Sequence, residues 1–360
     1  LGLWAELKEE DLVGDKEAFR FVLLEHTPSG VLAGFVAASC VHLRMDEEHI
    51  DRNTCVEVHS LFVDPNFRNQ RLAPILIDTL ARQCVGRGYQ MALHTSRVKL
   101  PMEHFAVFQS WHRPINVPAL LKSRFFTLKP GQTRAYTALK CFVDPRPSVA
   151  FHSTPLTAED CGEVFRFLNE AFQNGGEPPP DGEDPIRVAR VFDSPDEVRE
   201  TFLPESKDFM RAFCIREAGA ESGEAGALVA FVSFCVLRSV PMREEPSGAV
   251  KAEEIALLEL AQGSQGSVDC GDPAPLVVAN AFHVAWRGSR SFGAESALHE
   301  LVRLAAGAGC DLLTVNNQRF PASCLLGEHL YPDGDDLCYL YFFNYAMPTM
   351  SPAQVALAFL

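Results

Sequence analysis

The sequence has no apolar run long enough to cross a bilayer. The longest runs, such as Ala227 to Leu237 ("ALVAFVSFCVL"), are short and rich in β-branched and aromatic residues, which is typical of buried strands. The first residues lack the basic stretch that opens a signal peptide. The chain starts with leucine instead of methionine, which indicates a fragment or a processed start. We therefore expect a cytoplasmic protein without a membrane span.

Paired cysteines and an excess of cations are also missing. The eleven cysteines include no Cys-x-x-Cys pair, so we expect reduced thiols instead of a disulfide framework. Acidic residues number 47 against 32 basic ones, and the formal net charge is -15. This charge argues against a nucleic-acid backbone as the main partner. An anionic ligand would need a local basic pocket.

The chain contains an internal repeat. Its 360 residues, 47% of them hydrophobic, suffice for one large or two ordinary domains. Two strand-like segments, Val31 to Val41 and Ala227 to Leu237, share the pattern of an apolar residue, Ala or Gly, and Phe-Val. Later segments, Glu57 to Val63 and Val278 to Val284, each precede a helical pattern. We infer that the two halves of the chain share one order of elements.

Two pairs of glycines keep the same register behind the two helical patterns. Gly86 and Gly88 align without gaps with Gly307 and Gly309, where a helix needs a C-cap before the next strand. Each half is predicted to contain strands, a crossover helix and further strands, so the fold class is α/β with mixed sheets. A proline-rich stretch places the boundary between an N-terminal half, 1–147, and a C-terminal half, 148–360.

A basic loop follows the strand-like segment Glu57 to Val63. In "RNQRLAP", Arg68 and Arg71 have the spacing Arg-x-x-Arg-x-Ala. The spacing is a variant of the loop with which acyltransferases of the GNAT superfamily bind the pyrophosphate of coenzyme A. Backbone N–H groups at a helix start point at an anion, and arginines add charge-assisted hydrogen bonds. The alternative is a solvated, basic helix start.

Three stretches resemble the glycylpeptide N-myristoyltransferases. "RLAPILI" (Arg71 to Ile77) is similar to the helix behind that family's CoA loop, and "SWHRPINVPALLKSRF" (Ser110 to Phe125) resembles its Tyr-Trp-His-Arg-Ser-Leu-Asn-Pro segment. "FFNYAMPTMSPAQVALAFL" (Phe342 to Leu360) resembles the family's closing stretch, including its distance to the last residue. The resemblance implies two GNAT-like halves related by a pseudo-twofold axis, the first binding acyl-CoA and the second most of the peptide.

The resemblance also implies a reaction and its site residues. The reaction is direct transfer of a myristoyl group from myristoyl-CoA to the amine of an N-terminal glycine. The implied catalytic groups are the Leu360 α-carboxylate as base, the N–H groups of Ser60 and Leu61 as oxyanion donors, and Thr95 as a holder of the amine. The implied CoA-binding residues are Phe62, Val63, Arg68, Asn69, Gln70, Arg71, Leu72, Ala73 and Pro74. The implied peptide-binding residues are His59, Ser110, His112, Ser233, Asp333, Gly334 and Asp335.

The implied partners are myristoyl-CoA, as a substrate, and nascent proteins that begin with glycine after methionine removal. No resident cofactor and no metal ion are expected, and we expect a monomer. No cysteine nucleophile is required, so the thiols are interpreted as core residues.

Several of these residues also have structural interpretations. His112 can be a structural histidine, and Ser233 can be a buried strand serine that bonds to backbone. The loop Tyr331 to Asp336 can be an ordinary acidic turn. By the resemblance, it would instead bind a basic residue of the substrate. The terminal segment before Leu360 can be a strand that ends in the core.

The chain departs from the family at several motif positions. His59 replaces an active-site Asn, Ser60 a Phe, Ser110 a peptide-contacting Tyr and His94 a Tyr, while Gln70 replaces a Lys of the CoA loop. The family's N-terminal segment over CoA has no counterpart in these residues. We expect altered peptide specificity more than an altered fold.

Two other functions remain open from the sequence. One is a GNAT-type transferase that uses another acyl-CoA or amine, and the turn Arg287 to Gly293 ("RGSRSFG") would favour it by binding an anion. The other is an inactive relative that binds acyl-CoA or peptide.

Overall fold

The fold is built from a large and a small β-sheet with helices on their faces. The computed structural model describes residues 19–26, 28–45, 48–50, 55–123, 125, 133–144, 148, 150–171, 186–203, 209–218, 226–239, 275–287, 292–343 and 349–357. The strands are β1 (Phe19–His26), β2 (Val31–Cys40), β3 (His42–Met45), β4 (Glu48–Ile50), β5 (Cys55–Val63), β6 (Met91–Ser96), β7 (Ala106–Pro114), β8 (Phe151–Pro155), β9 (Val188–Val191), β10 (Met210–Glu217), β11 (Leu228–Ser239), β12 (Leu276–Trp286), β13 (Leu312–Asn316), β14 (Tyr331–Phe343) and β15 (Val355–Ala356). The helices are α1 (Leu72–Gly86), α2 (Val117–Lys122), α3 (Arg134–Lys140), α4 (Cys161–Ala171), α5 (Pro195–Phe202), α6 (Ala294–Gly307) and α7 (Ala322–Gly327).

The large sheet contains the same unit twice. In the first unit β1, β2 and β5 pair antiparallel, and α1 then crosses over to β6, which is parallel to β5. In the second unit β10, β11 and β12 pair antiparallel, and α6 crosses over to β13, which is parallel to β12. The predicted α/β class with mixed sheets and two similar halves is therefore confirmed.

The two units exchange their last strands. Across the described residues the sheet order is β1-β2-β5-β6-β14-β7-β13-β12-β11-β10-β8. Strand β7 thus leaves the first unit to pair with β13, and β14 returns from the second unit to pair with β6. β7 and β14 pair with each other at the centre. The units are consequently joined through backbone hydrogen bonds and not only through side-chain packing.

The glycines aligned in the sequence end the two crossover helices. Helix α1 ends at Gly86 and α6 at Gly307. Two residues later, Gly88 and Gly309 have φ values of +92° and +75°. This left-handed conformation is accessible to glycine without the Cβ clash that other residues meet. The prediction of matching helix ends in the two halves is confirmed.

The small sheet lies on one face of the large one. Within the described residues its order is β15-β9-β3-β4. Val188 of β9 and Val355 of β15 share a buried cluster with Cys55, Leu93 and Phe108 of the large sheet. This packing brings the C-terminal segment of the described chain onto the same sheet face as β5 and β6. No described helix is long and apolar enough to cross a membrane.

The cysteines are largely core residues. The ten described cysteines are free thiols, and seven of them are buried. Burial raises the pKa of Cys55 and of Cys214 to about 12, so both thiols stay protonated at neutral pH.

Candidate active site

The loop before α1 presents unpaired backbone donors to solvent. Asn69 and Arg71 have φ values of 65° and 59°, and Arg71 occupies the N-cap position without a capping side chain. The first turn of α1 contains no acidic residue. The first N–H groups of a helix lack partners inside the helix and attract anions. The loop therefore has the geometry of an anion site at the position predicted for CoA.

Both loop arginines are available to such an anion. Arg68 and Arg71 are exposed, and no described carboxylate forms an ion pair with either of them. Arg68 Nε donates to the Val63 carbonyl at 3.4 Å, which keeps the side chain beside the end of β5. Two guanidinium groups beside open N–H groups can hold a pyrophosphate by charge-assisted hydrogen bonds.

The strand in front of this loop lies close to its neighbour β2. A Cβ on Gly34 would come within 2.7 Å of the Phe62 carbonyl oxygen, so only glycine fits there. The rings of Phe35 and Phe62 stack with centroids 5.7 Å apart. Leu61 and Phe62 nevertheless remain exposed, with relative accessibilities of 38% and 41%. Leu61, a predicted oxyanion donor, and Phe62, a predicted CoA contact, thus both have accessible apolar side chains.

Strand β5 contains a bulge just before the predicted oxyanion donors. Val58 pairs with Ala38 and Ser60 pairs with Ala37, so His59 is an extra residue in β5. A bulge bends a strand and interrupts its ladder. The backbone of Ser60 is described, whereas its side chain lies outside the described residues. The ladder of β5 with β2 is therefore interrupted at His59, directly before Ser60.

Strands β5 and β6 separate at the same point. Their parallel pairing covers four residue pairs and ends at Val58 and His94. His94 Nδ1 lies 3.2 Å from the Val58 carbonyl oxygen, across the end of the ladder. The next residues, His59 and Thr95, therefore flank a gap between the two strands. Ser60 and Leu61 follow His59 on β5, and Thr95 follows His94 on β6, so these three residues predicted to be catalytic lie just beyond the end of the ladder.

A buried carboxyl group lies behind this gap. Glu57 is only 6% exposed, and burial raises its pKa to about 7 while the Arg190 guanidinium opposes the shift. Burial and the charge of Arg190 lower the pKa of His59 to about 4. His59 Nε2 lies 2.5 Å from Ser39 Oγ. A neutral imidazole and a carboxyl group that titrates near neutrality thus lie at the bulge.

Predicted peptide contacts form a second cluster on β7, β13 and β14. Ser110 Oγ donates to Asn316 Oδ1 at 3.4 Å, and His112 Nδ1 lies 3.1 Å from Thr314 Oγ1. The pairing of β14 with β7 is irregular between Pro332 and Leu337, next to these residues. The irregular segment contains Asp333, Gly334 and Asp335, and the side chains of both aspartates lie outside the described residues.

Ser233 lies apart from this cluster. Its side chain is fully buried, its Oγ donates to the His283 carbonyl at 3.1 Å, and it accepts from the His283 N–H at 3.1 Å. The Ser233 hydroxyl therefore has the backbone partners expected for a buried strand serine.

The end of the described chain is held beside β9. Ala356 pairs with Ala189, and the Leu357 N–H donates to Gln318 Oε1 at 3.1 Å. Ala356 and Leu357 line a cavity of about 40 Å³ together with His283, Gln318 and other residues. Leu360 lies outside the described residues.

Sequence reasoning missed several residues of the site. Ser39, Glu57 and Arg190 converge on His59 from β2, β5 and β9. The alternation of polar residues along "EVHS" is a weak signal for Glu57 and His59. Arg190 is more than 100 positions away, and the sequence carries no signal that would have connected it with them.

The turn Arg287 to Gly293 has a different environment in the part that the structure describes. Arg287 pairs with Glu170 and lies over the Phe167 ring, 5.0 Å from its centroid. Glu295 occupies the first turn of α6. Because Arg287 is already paired and an acidic residue lies in the first turn of α6, anion binding is disfavoured at this turn.

Comparison with known proteins agrees with this geometry. Residues 14–106 match the family described as "Myristoyl-CoA:protein N-myristoyltransferase, N-terminal domain". Glycylpeptide N-tetradecanoyltransferase 2 of Bos taurus is 26% identical over 221 residues, which are 61% of this chain and 40% of that protein. The Candida albicans enzyme is 30% identical over 142 residues, 39% of this chain and 30% of that protein. Residues 14–106 are thus similar to the N-terminal domain of the N-myristoyltransferases.

The aligned regions cover only part of these N-myristoyltransferases. The chain spans about two fifths or less of the length of the curated relatives just described. A crystal structure of Saccharomyces cerevisiae N-myristoyltransferase with bound myristoyl-CoA superposes with a TM-score of 0.73 and 17% identity, over 96% of this chain and 77% of that chain. At this identity the likeness shows a shared N-myristoyltransferase fold.

Proposed function

We propose that this protein transfers a myristoyl group from myristoyl-CoA to the amino group of an N-terminal glycine. The observation that carries the proposal is the gap between β5 and β6, which opens at His59 directly before the uncapped, arginine-bearing start of α1. A strand gap exposes backbone N–H groups, and the helix start attracts an anion. One substrate can therefore bind with its phosphates at α1 and its thioester at the gap.

The proposed CoA contacts are the loop arginines and the N–H groups of α1. Arg68 and Arg71 bind the pyrophosphate, and the backbone from Asn69 to Pro74 surrounds it. The exposed side chains of Leu61 and Phe62 contact the apolar part of the donor. Backbone donors at Ser60 and Leu61 stabilise the thioester oxyanion, and each such donor is typically worth about 3 kcal/mol.

The nucleophile must arrive as a free amine. A peptide α-amine has a pKa of about 7.7 to 8.0 and is largely protonated at neutral pH. Under the proposal, the Thr95 hydroxyl holds the nitrogen, since Thr95 directly follows the end of the β5–β6 ladder. A base within hydrogen-bond reach takes the proton that the nitrogen loses during the attack.

The proposed base is the α-carboxylate of Leu360. Leu357 is buried at the level of β9, which also carries Arg190. Three further residues reach at most roughly 10 Å. The rest of the peptide is proposed to extend over Ser110 and His112 towards the loop from Asp333 to Asp335.

CoA release by the purified protein tests the proposal. Myristoyl-CoA with a peptide that begins with glycine should release CoA, whereas acetyl-CoA, or the same peptide N-acetylated, should not. Release with acetyl-CoA alone would replace the proposal with a short-chain transferase. Myristoyl-CoA binding without release in any combination would leave a binding protein.

The role of Leu360 needs its own test. One alanine appended after Leu360 should lower kcat at least about 100-fold, because a displaced base no longer reaches the amine. An alanine inserted in the turn at Gly30 is the control, since this residue lies far along the chain at an exposed turn. Wild-type activity of the extended protein would exclude the terminal carboxylate as base.

A further inference from the structure

Three polar side chains meet at the bulge of β5. Ser39 of β2 pairs directly with Glu57 of β5, and Ser39 Oγ contacts His59 Nε2 at 2.5 Å. His59 Nδ1 lies 3.9 Å from Glu57 Oε1. The bulge produces this arrangement because it adds one residue to β5 and so turns the His59 side chain back towards Ser39. Ser39, Glu57 and His59 are called the bulge triad below.

The bulge triad borders the gap where the amine is proposed to bind. Because Val58 is the last residue of β5 to pair with β6, opposite His94, the following residues His59 and Thr95 lie at the same level. Side chains two apart in a strand share a face, so Glu57 with Leu93 and His59 with Thr95 lie on one side of the sheet. An amine at Thr95 is therefore a neighbour of His59.

The spacing of the two acceptor atoms suits a primary amine. A nitrogen about 2.8 Å from both Nδ1 and Oε1 would subtend an angle of about 90°, which is compatible with two of its N–H bonds. The separation of 3.9 Å is too long for a direct hydrogen bond between His59 and Glu57. The pair thus keeps capacity for a third group.

The charges around the bulge triad make Glu57, and not His59, its proton acceptor. Arg190 of β9 faces both residues, and the Cys55 thiol, whose pKa burial raises, lies near them. His94 of β6 faces the same ladder end, and burial lowers its pKa, so it is neutral. With a pKa of about 7, the Glu57 carboxyl is close to half ionised at neutral pH, and His59 is neutral.

We infer that the Glu57 carboxylate receives the first proton of the substrate's ammonium group, while His59 Nδ1 accepts a hydrogen bond from this group and Ser39 orients the His59 ring. When His59 Nε2–H donates to Ser39 Oγ, Nδ1 keeps the lone pair that the ammonium needs. Ser39 is therefore a positioning residue. The inference rests on the proposed acyl transfer.

Two proton acceptors match the stoichiometry of the reaction. The ammonium loses one proton before its nitrogen attacks the thioester carbon, and this proton goes to the Glu57 carboxylate. The C–S bond then breaks, and the nitrogen loses a second proton, which passes through the Leu360 carboxylate to the leaving CoA thiolate. The products are the amide, CoA thiol and one proton that Glu57 returns to solvent. No oxidant or other reactant is needed.

The kinetic test compares single and double substitutions. Glu57→Gln and His59→Gln should each lower kcat about 10- to 100-fold with an unchanged KM for myristoyl-CoA. The kcat of the double variant should be no lower than that of the less active single variant, because the effects of residues that act as one unit are not additive. His59→Asn should keep more activity than His59→Gln, since its amide oxygen can take the place of Nδ1 as hydrogen-bond acceptor. Wild-type kcat in Glu57→Gln or in His59→Gln would overturn the inference.

A second histidine–glutamate pair provides a matched control. His299 Nδ1 lies 3.2 Å from Glu328 Oε1, and the pair is on α6 and the turn after α7, outside the gap. His299→Gln and Glu328→Gln should leave kcat within twofold. An equal loss in these variants would show that removal of any such pair affects activity, and it would overturn the inference.

Imidazole ¹⁵N NMR separates this inference from the proposed function. With a non-hydrolysable thioether analogue of myristoyl-CoA bound, a peptide that begins with glycine should shift the His59 Nδ1 signal, and the N-acetylated peptide should not. Ser39→Ala should change the His59 tautomer pattern. A wild-type protein that transfers nothing but shows the amine-dependent shift refutes the proposed reaction and keeps the amine site. Equal spectra with both peptides refute the inference.

Discussion

The two crossover units share one topology and differ in what lies beside the strand that leads to the helix. In the first unit, β5 leaves β6 after Val58, and the gap is lined by His59 and Thr95. In the second, β12 leaves β13 after Asn280, and the residues beyond it line a cavity together with Ala356 and Leu357. The side chain of Leu61 is exposed at the first gap, whereas the C-terminal segment of the described chain lies at the second. The same topology thus has a different neighbour in each unit.

The bulges show the same difference in chemistry. His59 is the extra residue of β5, whereas Phe282 is the extra residue of β12 and packs with Phe202 in a buried aromatic cluster. The neighbouring His283 is 3% exposed, and burial lowers its pKa to about 3. The bulge residue of β5 is thus polar and exposed, whereas that of β12 is aromatic and buried.

Truncation of Leu357, the buried side chain at the second gap, should have the largest effect on stability. Leu357→Ala should lower the free energy of unfolding by about 3 kcal/mol, because a buried leucine leaves a cavity that collapses only in part. Urea denaturation measures this change. Leu61→Ala, at the exposed edge of the first gap, should cost less than about 1 kcal/mol. Equal losses would mean that the two gaps do not differ in packing.

Glu57→Gln should stabilise the protein at alkaline pH. The folded-state pKa of about 7 lies above the ordinary 4.5, so the wild-type protein loses stability as the pH rises from about 4.5 to about 7. Gln does not titrate, so the variant should be more stable than wild type by up to about 3 kcal/mol at pH 8 and by much less at pH 4.5. Thermal denaturation across this pH range measures the difference.

Glu328→Gln is the control of opposite sign. The His299 hydrogen bond lowers the pKa of Glu328, so its ionised form stabilises the folded state above the ordinary pKa. This variant should be less stable than wild type at pH 8. A pH-independent difference for Glu57→Gln would contradict the buried, titrating carboxyl group.

The arginines should distinguish the two helix starts. Arg68→Gln with Arg71→Gln should weaken CoA binding about 10- to 100-fold, because two charge-assisted contacts are lost. Arg287→Gln, at the turn before α6, should leave the Kd unchanged, since Arg287 is paired with Glu170. Calorimetry at two salt concentrations measures both. Loss of affinity in the Arg287 variant would place the anion at the second unit.

Glycine substitutions in the loop before α1 should have the smallest effects on stability. Arg71 has a φ of 59°, and glycine adopts this left-handed conformation without the steric cost of a side chain. The Arg71→Gly variant should gain about 1 kcal/mol of stability, read from its thermal midpoint. Asn69→Gly should gain less, because asparagine tolerates a φ of this size. A destabilised Arg71→Gly protein would indicate that the arginine side chain holds the loop.

Much of the fold was predictable from local sequence patterns. The paired glycines after α1 and α6 mark helix ends through their own backbone preference, and the apolar segments of β2, β5, β11 and β12 indicate strands through residue type. The exchange of β7 and β14 was not predictable, because strand partners depend on long-range pairing that neither segment records.

The site was predictable to a smaller extent. The spacing of Arg68 and Arg71 indicates an anion loop, and the resemblance to N-myristoyltransferases indicates the residues around it. Ser233 illustrates the limit, since its exposure depends on the aromatic layer above β11, to which Phe192 and Phe202 contribute from elsewhere in the chain. The raised pKa of Glu57 was equally unpredictable, because the pKa of a carboxyl group rises in this way only when its surroundings exclude water.

The sequence by itself determined the repeated order of elements, the helix ends and the basic loop, since each depends on neighbours within a few residues. Only the tertiary structure decided what lies at each gap, and which distant groups set the charge of the bulge. Arg190 reaches Glu57 and His59 because β9 packs on the large sheet. Burial and Coulomb interactions depend on distance in space, and folding alone sets that distance.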